Sequence, residues 1–362
     1  MTGAAIKPTT LRQTPYNNTK TVVHTDKDLY MKKVASIAIL FFALAFMLTA
    51  CNTESGKKDS APKKISVVAT IYPQYDWLKN VIGERADAVD LKLLIKNGTD
   101  LHSYKPSAQD IATIAKADLV VYVGGESDEW IEKALEVTPK EGRIALNLMK
   151  ALGDRVKEEE VVEGMQVETK ENAEEHHHHE EVENDEHIWL SMVAAKYLVG
   201  VDIVKALVKI DSANAETYRT NAADYTVKLN EIDDEYADAV AEATHETILF
   251  GDRFPFRYLV DDYGIKYYAA FVGCSAESEA SFETVTFLAG KMDSLQLPAI
   301  FTIDGSNGKI ARAILEASKN SKNAQVLTLN SMQSVTDEQI KAGVDYLSIM
   351  RDNLEVLKKA LK

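Results

Sequence analysis

Twice along this chain, short apolar runs rich in β-branched residues alternate with stretches of helical periodicity. In the first series Ile65–Ile71, Val89–Ile95, Asp118–Val123 and Arg143–Leu148 read as strands, with helices over Tyr75–Ile82, Asp110–Ala117 and Asp128–Val137. In the second, strands at Thr247–Gly251, Ile265–Val272, Ala299–Ile303 and Gln325–Leu329 alternate with helices at Phe256–Tyr263, Ser281–Leu295, Lys309–Lys319 and Thr336–Leu361. Strands that are apolar throughout are buried on both faces, which is the mark of parallel sheet covered by helices. Between the two series, residues from about 191 to 240 carry no strand signal, no Pro and no Gly beyond Gly200. There Leu207, Tyr218, Tyr225, Leu229, Ile232 and Tyr236 recur at helical spacing. The expected fold is therefore α/β: two α/β lobes with mainly parallel sheets, 64–205 and 245–362, joined by a long backbone helix within 206–244. Open α/β sheets bind ligands beyond the carboxyl ends of their strands, so a cleft between the lobes is the expected site.

Upstream of the first lobe, Met31 opens a basic start (Lys32, Lys33) followed by an apolar run from Val34 to Leu48. This order is that of a secretory signal, and the run is short for a membrane-spanning helix. It ends in Leu48-Thr49-Ala50-Cys51, which resembles the lipobox of bacterial lipoproteins and implies lipidation of Cys51 after cleavage. Residues 31–51 are thus expected to be a lipoprotein signal peptide and 52–63 a polar tether. Residues 1–30, polar and without apolar period, read as an upstream extension.

The net charge of −15 argues against a nucleic-acid partner and suits the gathering of cations. Part of that charge is concentrated in 158–186, where 13 Asp or Glu accompany one Lys and the run His176-His177-His178-His179. Such a segment cannot bury a core, and its composition marks an auxiliary metal-binding loop. With Cys51 assigned to lipidation, Cys274 is left unpaired and no disulfide framework is implied.

Two further histidines stand near element boundaries. His102 lies in the turn Asn97–Ser107 between a strand and a helix for which Ser107 is a good N-cap. His187 follows the acidic loop and precedes Trp189, a packing anchor. Either residue alone could be an ordinary hydrogen-bonded histidine. Together with their surroundings they carry a resemblance. The stretches Val67-Val-Ala-Thr-Ile-Tyr-Pro73, Asp100-Leu-His-Ser-Tyr-Lys-Pro-Ser107, Ala117-Asp-Leu-Val-Val-Tyr-Val-Gly124 and His187-Ile-Trp-Leu190 closely resemble the zinc and manganese substrate-binding lipoproteins of ABC transporters. The likeness runs in order from about Lys64 to Lys362.

That resemblance implies a metal ion held between two lobes, with His102 and His187 as ligands from the first. It implies a third ligand, His or Glu, from the first strand–helix turn of the second lobe, and an acidic fourth that Asp304 matches. At the third position the chain departs, because alignment on Tyr258 and Tyr263 puts Arg253 where the family has His. Arginine cannot ligate. Asp252, one residue earlier, and Cys274, at the end of the next strand, are the candidates to replace it, and a thiolate would favour zinc over manganese. The implied function is extracytoplasmic capture of Zn²⁺, with Mn²⁺ as the alternative, and its delivery to an ABC permease by a monomer anchored through lipid to the outer face of the bacterial cytoplasmic membrane. A metal-dependent enzyme on the same scaffold is the first rival, but the chain has no H-E-x-x-H pattern. A surface adhesin is the second, and no repeat or binding module supports it.

Overall fold

In the computed structural model, which describes residues 64–166, 183–275 and 279–362, the apolar runs become two sheets. These residues all fall in the compact unit Pro62–Lys362. The upstream extension, the signal segment with Cys51, the tether and His176, His177, His178 and His179 lie outside the described residues.

The first sheet is built from Ile65–Ala69 (β1), Val89–Leu93 (β2), Leu119–Tyr122 (β3) and Ile144–Asn147 (β4). All pairings are parallel and the order is β2-β1-β3-β4, with Val67 opposite both Leu91 and Leu119. Helix α1 (Tyr72–Ile82) follows β1 directly. It starts earlier than its apolar period predicts, because Gln74 Oε1 accepts from the Thr70 and Ile71 main-chain N–H groups at 3.0 and 3.3 Å. Pro73 costs nothing there, since the first turn needs no N–H from it. Helix α2 (Ala108–Lys116) starts at Ser107 as expected: Ser107 Oγ accepts from Asp110 N, and Asp110 Oδ2 accepts from Ser107 N. Helix α3 (Glu129–Val137) makes the crossover from β3 to β4, and α4 (Leu148–Leu152) follows β4.

The second sheet repeats the plan with Thr247–Phe254 (β5), Lys266–Val272 (β6), Ala299–Ile303 (β7) and Gln325–Leu329 (β8), all parallel, in the order β6-β5-β7-β8. A register shift between Phe250 and Arg253 bends the end of β5.

The two sheets are connected through α5 (Met192–Tyr197), a π-helical stretch Leu198–Ile203, α6 (Val204–Ile210) and the long α7 (Ala215–Ala241). Helix α7 has 27 residues, hence a length of about 40 Å. Its buried side chains are Tyr218, Ala222, Tyr225, Leu229, Ile232 and Tyr236, one stripe at 3.6-residue spacing. A helix this polar elsewhere is stable chiefly through that stripe, each large apolar member contributing roughly 1.5–3 kcal/mol on burial.

After β5, α8 spans Arg257–Tyr263, and α9 (Phe282–Leu295) and α10 (Lys309–Ala317) flank β7 in sequence. The chain end differs from the single helix expected over Thr336–Leu361. It forms α11 (Asp337–Lys341) and α12 (Tyr346–Leu361), broken at Gly343, whose φ of 91° a helix cannot contain. Asp345 then caps α12 by accepting from Ser348 N at 2.7 Å.

Candidate metal centre

His102, Cys274 and Asp304 stand on the connections that follow β2, β6 and β7, Asp252 lies near the end of β5, and His187 lies on the long connection after β4. His102 sits in the short turn Leu101–Ser103 after β2. Asp100 Oδ1 accepts from the His102 main-chain N–H at 3.0 Å and fixes that turn. Ser127 Oγ, after β3, lies 2.8 Å from His102 Nδ1, which leaves Nε2 directed inward. His187 is fully buried, and Asp185 Oδ1 accepts from both its main-chain N–H (2.8 Å) and its ring Nδ1 (3.0 Å). Its ring therefore carries the proton on Nδ1 and presents the Nε2 lone pair. The two Nε2 atoms stand 3.1 Å apart, and Gln333 Nε2, on the loop after β8, is 3.0 Å from one and 2.9 Å from the other.

Burial is the main reason that His102 ionises only at about 3, with neighbouring His187 also lowering it and Arg253 adding to the effect against Asp100. Its ring is therefore neutral and able to ligate across the physiological range. Proton competition at His102 moves well below pH 6, the point expected of an ordinary imidazole.

From the second lobe, Cys274 lies just beyond β6, and Sγ together with ring nitrogens of His102 and His187 forms a group in which all three atoms lie within 4.8 Å of one another. Gly273 permits this approach: a Cβ there would stand 3.0 Å from His187 Cε1 and 2.9 Å from Phe254 O. Cys274 N–H donates to Glu159 Oε1 at 3.1 Å. Burial first, then the carboxylates of Glu159, Asp185 and Glu186, push the thiol far up, so it is protonated when no ion is bound.

Asp252 and Asp304 are not brought into that group. Asp304 accepts from the N–H and hydroxyl of both Ser331 and Ser334, so its oxygens are turned into the β8 loop. Asp252 Oδ1 accepts from Arg253 N at 3.0 Å. Both line a polar cleft of 340 Å³ with Asp100 and Arg253, and none of His102, His187 and Cys274 lines it. Arg253 itself is ion-paired with Asp100, in the turn of His102. Burial tends to raise Asp100, but the Arg253 charge prevails and holds its carboxyl below the ordinary range.

Gln333, Asp185 and Ser127 went unnoticed in the sequence. Asp185 has a recoverable signal, two residues before a candidate ligand; Gln333 has none, because a loop glutamine carries no spacing.

The family model described as zinc-uptake complex component A, periplasmic (ZnuA), matches residues 67–360. The chain belongs to this family. Its members' names speak of zinc binding and zinc uptake. Among relatives, the zinc-binding lipoprotein AdcA of Streptococcus pneumoniae is 32% identical over 91% of this chain, which spans only 61% of AdcA's own length. The high-affinity zinc uptake system protein ZnuA of Bacillus subtilis is 29% identical over 89% of this chain and 97% of that one. In structure, the Zn(II)-bound ZnuA-like domain of Streptococcus pneumoniae AdcA aligns with a TM-score of 0.64 at 29% identity, covering 82% of this chain and 99% of that domain. The two-lobe family fold expected from the sequence is the one observed, with two four-stranded parallel sheets and a long helix.

Proposed function

We propose that this chain captures Zn²⁺ outside the cytoplasm and delivers it to an ABC permease, with His102 and His187 as ligands from the first lobe. The observation that carries this reading is the pair of Nε2 atoms 3.1 Å apart at the lobe junction. Two ligand nitrogens on a tetrahedral zinc are separated by about 3.3 Å, given Zn–N bonds of about 2.0 Å. The family's name and the zinc-binding names of its relatives support the same ion. In this reading the chain acts as a monomer, Cys51 carries the lipid that keeps it beside the permease, and His176–His179 gather zinc near the cleft.

The test is competitive titration of Zn²⁺ against Mn²⁺, with a metal count, on chain lacking residues 167–182 and on its His102→Ala and His187→Ala forms. One tight Zn²⁺ is expected to survive the loop deletion. Each alanine should weaken it by more than the roughly 10–100-fold typical of losing an outer partner. Preference for Mn²⁺ would change the cargo, and absence of a tight ion would end the capture reading.

A further inference from the structure

We infer that Cys274 is the metal ligand contributed by the second lobe, and that its thiolate makes this centre select zinc over manganese. The inference rests on the capture reading above and deepens it. Three observations carry it. Cys274 Sγ is grouped with ring nitrogens of His102 and His187 within 4.8 Å, and Asp252 and Asp304 are not members of that group. Arg253, a residue without a lone pair, is tied to Asp100 in the His102 turn and donates to Gln333 Oε1 at 3.4 Å, so it offers the pair no ligand. The glycine before Cys274 brings its loop against the His187 ring, where any side chain would collide with the ring and with Phe254 O.

The geometry needs little adjustment. A zinc ion with bonds of about 2.0 Å to nitrogen and about 2.3 Å to sulfur calls for N···S separations of roughly 3.6 Å. Closing from 4.8 Å to that distance is a movement within reach of a loop that carries its ligand just past a strand end. Gln333, whose amide nitrogen is 3.0 and 2.9 Å from the two Nε2 atoms and whose oxygen accepts from Arg253 and Ser331, adjoins the fourth position, which water can fill. On binding, one metal–sulfur bond forms and the thiol proton passes to water, so each ion taken up releases one proton. Thiolate and imidazole donors suit zinc, whereas manganese prefers oxygen donors.

The experiment uses the full metal-free chain with Cys51→Ala, so that Cys274 is the one thiol present, loaded with Co²⁺ as a spectroscopic substitute for zinc. A sulfur-to-cobalt charge-transfer band in the near ultraviolet is expected at one equivalent, displaced by Zn²⁺. It should vanish in Cys274→Ala, where Zn²⁺ affinity drops at least about tenfold and Mn²⁺ affinity changes less than about twofold. The starting spectrum requires no site variant, and protection of Cys274 from maleimide by one equivalent of Zn²⁺ provides a second readout on the same protein. Tight Co²⁺ lost in His102→Ala but showing no charge-transfer band and no thiol protection would overturn the role of Cys274 and leave the capture reading standing. No tight Co²⁺ or Zn²⁺ in the starting protein would overturn both.

Discussion

The orientation of His187 is set by one oxygen. Asp185 Oδ1 receives its main-chain N–H and its ring Nδ1, within a wholly buried environment. A carboxylate in that place raises the basicity of the opposite nitrogen as well as fixing its direction. Asp185→Asn retains an acceptor but removes the charge. It is expected to weaken Zn²⁺ about tenfold, measured by chelator competition, while the unfolding midpoint of the metal-free protein stays close to wild type. Unchanged affinity would mean that the charge of Asp185 has no influence on the centre. At this scale the sequence disclosed what stood in recognisable order: the His102 turn, its Ser107 cap and the His187-Ile-Trp-Leu190 run. It did not disclose the partner of Arg253, because Asp100 lies 153 residues away and only the packed lobes bring them together. Gln333 escaped for the same reason, reaching His102 across 231 residues.

Among the elements, α7 and the neighbouring α1 show how a buried charge is tolerated at a junction. Asp76, on α1, is 2% exposed, and its Oδ2 accepts from Tyr225 OH of α7, from the Tyr346 N–H of α12 and from Asn80. Burial pushes its ionisation up to about 6, with the nearby Asp345 adding to the rise and the Tyr346 N–H opposing it. In the unfolded chain the same carboxyl ionises near 3.8. As pH rises from about 4 to about 6, the unfolded chain therefore releases this proton first, and stability falls by up to about 3 kcal/mol, remaining lower above that range. Asp76→Asn keeps an oxygen acceptor and has no proton to lose. Its stability relative to wild type is expected to improve by about 2–3 kcal/mol between pH 4 and pH 7, read from urea unfolding of the metal-free proteins. A difference independent of pH would show that Asp76 ionises normally. The alternation that gave the sheets was legible because parallel strands are apolar on both faces. The break between α11 and α12 was also written in the chain, as Gly343 followed by the Asp345–Ser348 cap, but the apolar period running through it on both sides masked the stop.

Across the whole molecule, the lobes are joined by more than the long helix. Trp189 Nε1 of the first donates to Ser331 O of the second at 2.8 Å, Tyr346 OH returns a bond to Trp189 O at 2.6 Å, and Tyr72 OH donates to Val344 O at 2.7 Å. Tyr225 and Tyr236 fasten α7 to Asp76 on one side and to Met350 O on the other. Trp77 packs edge-on against Tyr346, and one continuous apolar core contains residues of both sheets. The expected rigid helix is thus part of a larger brace, whose other members could not be read in advance because they join residues 142, 157 and 272 positions apart. Opening a hinge would expose Trp189 and Tyr346, both almost fully buried, and strand the polar atoms they satisfy. Uptake of the ion must then proceed by movement of the loops carrying His102, Cys274 and Gln333 and not by wide rotation of lobes. Small-angle scattering of metal-free and Zn²⁺-loaded protein is expected to show radii of gyration within about 1 Å of each other, as in pre-organised binding. A contraction of several Å on adding zinc would mean that the Trp189 and Tyr346 bonds break in the metal-free state, and the brace would have to be reassigned as a latch that forms on loading.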